Sequence, residues 1–325
     1  MRSMRYLSLA LLVAVLAMVL GSGCGRAGEG SYPTKPIEVV AHTAAGSSSD
    51  VVARTIADIM EKDKILPQPM AVLNKEGGSG AVAFSYVVEK KADPYTLLIA
   101  PPVFITTTYS QGLTFNYKDF TPIANLFYEK TLIAVKADSP YKSLKDIIDA
   151  AKAKPNTINQ GGGSITAMDN YIRGIIMKAT GAQWKYVSFT GSDSATTAVL
   201  GGNVDFACPN PSEAMELIRA GKLRPLATTR KVPALPDVPT LEELGYPFNI
   251  KHFRGVVAPG GIPDEAKKTL IDAYTKATKT DKWKKYITDI GVDEGFVAGD
   301  DFGKLLGEMN GVLTQLTDDL GLKKK

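Results

Sequence analysis

Apolar β-type runs and amphipathic helical stretches alternate along nearly the whole chain, and that alternation confines it to α/β layers. Strand-like runs fall at residues 36–41, 70–73, 96–100, 132–135, 157–159, 204–207, 223–228 and 253–258. Helical spacing of apolar positions occupies 50–61, 80–90, 143–152, 166–180, 195–200, 211–220, 264–279, 282–290 and 300–320, with a short helix near 104–109. Ser143 to Asp146 and Thr166 to Asp169 carry the spacing of a capping box, and Gly181 and Gly221 stand where helices should stop. Such an order predicts mostly parallel sheets. At 325 residues and 44% hydrophobic content, the chain can bury a core without disulfide or metal staples, and its length suggests about two domains.

Residues 1–23 have the organisation of an export signal. Arg2 and Arg5 precede an apolar run from Leu7 to Leu20, which is shorter than the roughly 20 residues needed to cross a bilayer. Small residues follow, and then Cys24. Leu20-Gly21-Ser22-Gly23-Cys24 resembles a bacterial lipobox, although Gly21 stands where leucine is usual. That resemblance implies lipid attachment at Cys24; an uncleaved membrane anchor is the alternative. Residues 24–31 read as a flexible, glycine-rich tether. The expected location is extracytoplasmic, in a periplasm or at the outer face of the cytoplasmic membrane.

Two distant phrases, Leu132 to Pro140 and Gly255 to Pro263, share one form: an apolar strand, a proline-bearing turn, then an amphipathic helix. They read as two crossings between lobes. One lobe would hold residues 32–130 and 250–325, the other residues 131–249. Ligand would bind in the cleft between them, at the strand ends. A monomer is the expected state.

Several chemistries are disfavoured. The net charge of +4 comes without a concentrated basic face, which argues against nucleic-acid binding. His42 and His252 are the only histidines, and no Gly-x-Ser-x-Gly elbow accompanies them. Two histidines and Cys208 offer no zinc-ligand spacing, and no Gly-x-Gly-x-x-Gly follows a strand. No catalytic residue, metal or cofactor is expected. Cys208 reads as a small buried hydrophobe, and Asp50 with Arg54 as an i,i+4 pair. Phe104 reads equally as a pocket wall or as core.

The chain is richer in hydroxyl and glycine loops at strand–helix joints: residues 44–50, 160–166 and 190–195. A helix N-terminus carries unpaired N–H groups and partial positive charge. Glycine allows close approach, and Ser or Thr hydroxyls add donors. Together they make an anion site suited to a carboxylate.

Tyr32-Pro-Thr-Lys-Pro-Ile37, Ala44-Ala-Gly-Ser-Ser-Ser-Asp-Val-Val-Ala-Arg54, Asn74 with Gly77-Gly-Ser-Gly80, Gly201-Gly-Asn-Val-Asp205 and Leu235-Pro-Asp-Val-Pro-Thr240 stand in an order that resembles the substrate-binding proteins of the tripartite tricarboxylate transporter family, the Bug receptors. The resemblance spans residues 32–322. It implies a two-lobed type II periplasmic-binding-protein fold with a hinged cleft, which presents a carboxylate to a permease of one large and one small membrane subunit. It implies that Ser47, Ser48, Ser49, Gly163, Ser164, Thr166, Gly191 and Ser192 stand at the ligand, together with Phe104 and Asn210. It implies binding without catalysis. Rival readings are a receptor for an ATP-driven importer or sensor kinase, an extracytoplasmic hydrolase on the same scaffold, and a structural lipoprotein.

Overall fold

The computed structural model describes residues 32–324. The expected signal segment, Cys24 and the tether lie outside the described residues. A first sheet of six strands has the order β11-β4-β10-β3-β1-β2. Its members are β1 (Ile37–Ala41), β2 (Met70–Asn74), β3 (Thr96–Ala100), β4 (Phe120–Tyr128), β10 (Phe253–Pro259) and β11 (Asp293–Ala298). A second sheet of five strands has the order β7-β6-β8-β5-β9. It contains β5 (Leu132–Lys136), β6 (Asn159–Gly162), β7 (Lys185–Ser188), β8 (Phe206–Ala207) and β9 (Leu223–Thr228).

The helices are α1 (Ser48–Lys62), α2 (Ala81–Val88), α3 (Val103–Ser110), α4 (Leu144–Ala153), α5 (Met168–Thr180), α6 (Ser192–Leu200), α7 (Pro211–Arg219), α8 (Asp264–Ala277), α9 (Asp281–Asp289) and α10 (Gly299–Asp319). Among the described residues no helix is long and apolar enough to cross a membrane.

The expectation of mostly parallel sheets is corrected. β1 runs parallel to β2 and β3, but β10 is antiparallel to both β3 and β4, and β4 to β11. The second sheet is mixed in the same way: β6 is parallel to β7 and β8, while β5 is antiparallel to β8 and β9. Reversal follows from the crossings. A strand that has just entered a sheet from the other one starts at the end where its neighbours finish. Thus Leu132 begins β5 opposite Thr228, the last residue of β9, and Gly255 near the start of β10 pairs with Ala100, the last residue of β3.

That arrangement gathers the loops. Strands β1 and β3 end, β4 ends and β10 begins on one edge of the first sheet. Strands β6, β7 and β8 end and β5 begins on one edge of the second. Where the chain crosses between the sheets the strand pairing runs on at each edge: Glu129 N–H donates to His252 O (2.7 Å) at the first, and Leu132 N–H to Pro209 O (2.8 Å) and Thr229 N–H to Thr131 O (2.9 Å) at the second. One continuous apolar cluster includes Val40, Phe84 and Phe104 on the first sheet's side and Ile133, Trp184 and Phe206 on the second's. Helix α10 packs on α3 and β4 and also on α5. There the Tyr171 hydroxyl lies 2.6 Å from Thr317 Oγ1, with both residues buried.

Candidate ligand-binding site

The first loop follows β1. Asp50 shapes it by accepting from Gly46 N–H (2.9 Å), Asn74 Nδ2 (2.9 Å) and Arg54 Nε (2.9 and 3.0 Å). The Arg54 bond and these two donors hold its carboxyl below the usual range against the opposing pull of burial. The i,i+4 pair is therefore part of the loop's frame. Ser47, at the helix N-cap, makes no capping bond. Its hydroxyl donates back to Ala44 O (2.7 Å), and Thr43 Oγ1 lies 2.5 Å away. The amides of Ser48, Ser49 and Asp50 have no acceptor among the described residues. These are the orphan donors of a helix start, at the positive end of its dipole.

Beneath this turn lies an ion cluster that sequence reasoning missed. Arg254 forms an ion pair with Glu129, and each is only 5% exposed. Arg254 donates to Ser49 Oγ (3.1 Å) and Ser48 Oγ (3.0 Å), and Ser48 donates to Glu129 Oε1 (3.0 Å). Glu129 Oε2 and Arg254 Nε have no hydrogen-bond partner among the described residues. His252 Nε2 is 3.5 Å from Glu129 Oε2, but burial pushes that imidazole down to about 4, so it is neutral near pH 7. Burial likewise pushes His42 down to about 3. The one available signal was Arg254 itself, a charge inside the otherwise apolar run 253–258.

The second loop begins later than the sequence suggested. β6 takes in Gly161 and Gly162, and both are there for packing. A Cβ on Gly161 would meet Val204 at 2.9 Å; one on Gly162 would meet Asp169 Oδ2 at 2.2 Å. The expected capping box at Thr166 is not formed. The N-cap is Ala167, and Asp169 instead accepts from Gly163 N–H (2.7 Å) and the Tyr186 hydroxyl (2.8 Å). Gly163 N–H is thereby engaged within the loop. Thr166 turns to the first sheet's side, where Thr106 donates to its carbonyl (2.8 Å) and Thr107 Oγ1 lies 2.9 Å from its hydroxyl. Ser164 Oγ lies 3.2 Å from the same hydroxyl.

The third loop follows β7. Gly191 is the N-cap of α6, extended and without a side-chain cap, and the amides of Ser192, Asp193 and Ser194 have no acceptor among the described residues. The Ser192 hydroxyl donates to Glu213 Oε1 (2.8 Å). Asn210 is the N-cap of α7; Glu213 Oε2 accepts from Asn210 N–H (3.2 Å), and the Asn210 side chain makes no capping bond. Burial, reinforced by the charges of Glu129 and Asp193, pushes the Glu213 carboxyl up to about 7. Phe104 is 0% exposed and stacks edge-on between Phe84 and Phe120, with ring centroids 5.4 and 4.8 Å away. Cys208 is buried, and burial raises its thiol.

The structure thus sets uncapped helix starts from both sheets around one seam, with two glutamates between them. No group of three or more His, Cys, Asp or Glu among the described residues could hold a metal ion. The model of the tripartite tricarboxylate transporter family receptor matches residues 52–322. The chain belongs to that family. A Cupriavidus necator relative, named UPF0065 protein in the gbd 5′ region, is 30% identical over 97% of this chain and 96% of its own. Among solved structures, an adipate-bound protein of R. palustris has a TM-score of 0.81 at 26% identity, covering 89% of this chain and 98% of that one. MatC of Rhodopseudomonas palustris, with bound malate, has a TM-score of 0.80 at 25% identity, covering 88% and 99%. The fold is that of the two-lobed periplasmic solute-binding proteins, and this family receptor is a solute receptor.

Proposed function

We propose that this receptor binds a small organic anion of the carboxylate class in the cleft between its lobes and hands it to a two-subunit membrane permease. One observation carries the reading: the free amides of Ser48–Asp50 on α1 and Ser192–Ser194 on α6 start helices from different sheets and converge on the Glu129–Glu213 seam. A carboxylate bridging two such helix starts would favour the closed arrangement, because ligand shifts an equilibrium only by its affinity difference between the two states. The adipate and malate carried by the two R. palustris structures support the ligand class.

The ligand residues we assign are Ser47, Ser48, Ser49, Ser164, Gly191 and Ser192, with Gly163, Thr166 and Asn210 shaping the loops and Phe104 standing behind them. Lobe 1 comprises residues 32–130 and 250–325 and lobe 2 residues 131–249, a division that sheet membership supports. The receptor acts without catalysis, as an extracytoplasmic monomer held to the membrane by lipid on Cys24.

Thermal unfolding tests this. The full chain is stripped of carried-over ligand by unfolding and refolding, then heated with a panel of mono-, di-, tri- and aromatic carboxylates. An acid at 100 times its dissociation constant should add about 2.7 kcal/mol. A flat response to every acid would overturn the carboxylate reading.

A further inference from the structure

The hydroxyls expected to donate to a ligand carboxylate are already donating to glutamates. Ser48 donates to Glu129 Oε1 and Ser192 to Glu213 Oε1, at 3.0 and 2.8 Å. A hydroxyl has one proton and two lone pairs. With the proton turned to glutamate, it offers a ligand only an acceptor. Ser48 in addition takes a bond from Arg254. The donors left for a ligand are the helix-start amides; the acceptors beside them are Ser192 Oγ and the carboxylates. Glu129 Oε2, on a residue that is 5% exposed, has no hydrogen-bond partner among the described residues.

Charge points the same way. Arg254 is the one cation paired with Glu129 at closest range, and it balances a single negative charge. Glu213, lifted by burial to about 7, adds partial negative charge near neutral pH, and Asp193 on α6 lies nearby. The histidines that face the cluster are neutral near pH 7. A ligand with carboxylates at every end would lay negative charge against this lining, where water screens it little.

We infer that Glu129 and Glu213 determine specificity, selecting a carboxylate that also carries an O–H or N–H donor, a hydroxy acid or amino acid, over the bare carboxylate of the same length. The inference rests on the receptor reading above. The carboxylate end lies against the amides of α1 and α6, and the donor end meets the glutamates and the acceptor lone pairs of the serines. A buried acceptor left without its donor discriminates strongly, because the bare analogue must leave it unpaired.

Two matched series test the inference on the full, ligand-stripped chain by calorimetric titration: succinate, malate and aspartate; and propionate, lactate and alanine. In at least one series the donor-bearing members should bind at least tenfold more tightly than the bare acid. Which of the hydroxyl and ammonium members binds better identifies the donor. In Glu213→Gln that ratio should fall to below threefold, mainly because the bare acid binds better. Gln fits the N3 position of a capping box, so this variant should fold. Glu129→Gln should lower the ratio likewise and serves as the second variant. Equal binding of bare and donor-bearing acids by the natural chain overturns the inference but leaves the receptor reading standing. So does a ratio unchanged in both variants. Silence from every acid of both series, together with silence from the wider thermal panel, overturns the receptor reading and the inference with it.

Discussion

Replacing Arg254 with Ala should be among the most destabilising single changes in the chain, costing about 3–5 kcal/mol. The substitution leaves the Glu129 carboxylate buried, with Ser48 as its one strong donor. Breaking one side of a buried ion pair exposes the whole desolvation cost of the other. It also frees Ser48 and Ser49 from the guanidinium that holds both hydroxyls at the start of α1. In thermal unfolding the loss corresponds to a fall of roughly 5–15 °C in Tm for a protein of this size. The double variant Glu129→Leu with Arg254→Met removes both charges and should recover a large part of that loss. A double variant no more stable than Arg254→Ala would show that side-chain packing, not the stranded charge, sets the cost.

Phe104→Ala should cost a similar amount, about 3–5 kcal/mol. Phe104 has no exposed surface and stands in an edge-on stack with Phe84 and Phe120, within the cluster that joins the two sheets. Truncation leaves a cavity that neighbours on α2, α3 and β4 cannot all fill. Phe104→Leu, which keeps most of the volume, should unfold at an intermediate temperature and bind ligand as the natural chain does. If Phe104→Ala kept its Tm within 2 °C yet lost ligand binding, the side chain would be a pocket wall and not core.

The sequence shows most clearly what each segment does locally. Runs such as 96–100 and 253–258 read as strands because they are mostly apolar, and both are buried on both faces. The loops after β1 and β7 are visible because an uncapped helix start beside a strand end needs glycine or small hydroxyl residues there. Strands β4, β7 and β11 were not read as strands from the sequence. β4 carries Pro122 at a register shift against β10, β7 is an exposed edge, and β11 begins Asp-Glu-Gly with an irregular pairing to β4. Each is permitted by its neighbours in the sheet and not by its own composition.

The partners at the site are hidden for a related reason. Glu129 and Arg254 are 125 positions apart, and nothing in either local stretch announces the pair. The Thr166 box fails because Asp169 finds the Gly163 amide and Tyr186, while Thr166 finds Thr107. Glu213 stands three residues after Asn210, but its bond from Ser192 belongs to the tertiary fold. Local signals located the loops; long-range hydrogen bonds decided which of their atoms remain free.

In the proposed complex, main-chain amides at two helix starts hold the ligand. Selective 15N-serine labelling tests it directly, with amide shifts followed as the most strongly stabilising carboxylate is added. The amides of Ser48, Ser49, Ser192 and Ser194 should move together and saturate at one ligand per chain. Ser143, which caps α4 by its own side chain, and Ser110, buried on α3, should stay in place. Saturable binding that moved Ser143 or Ser110 and left the four helix-start amides unshifted would contradict the account.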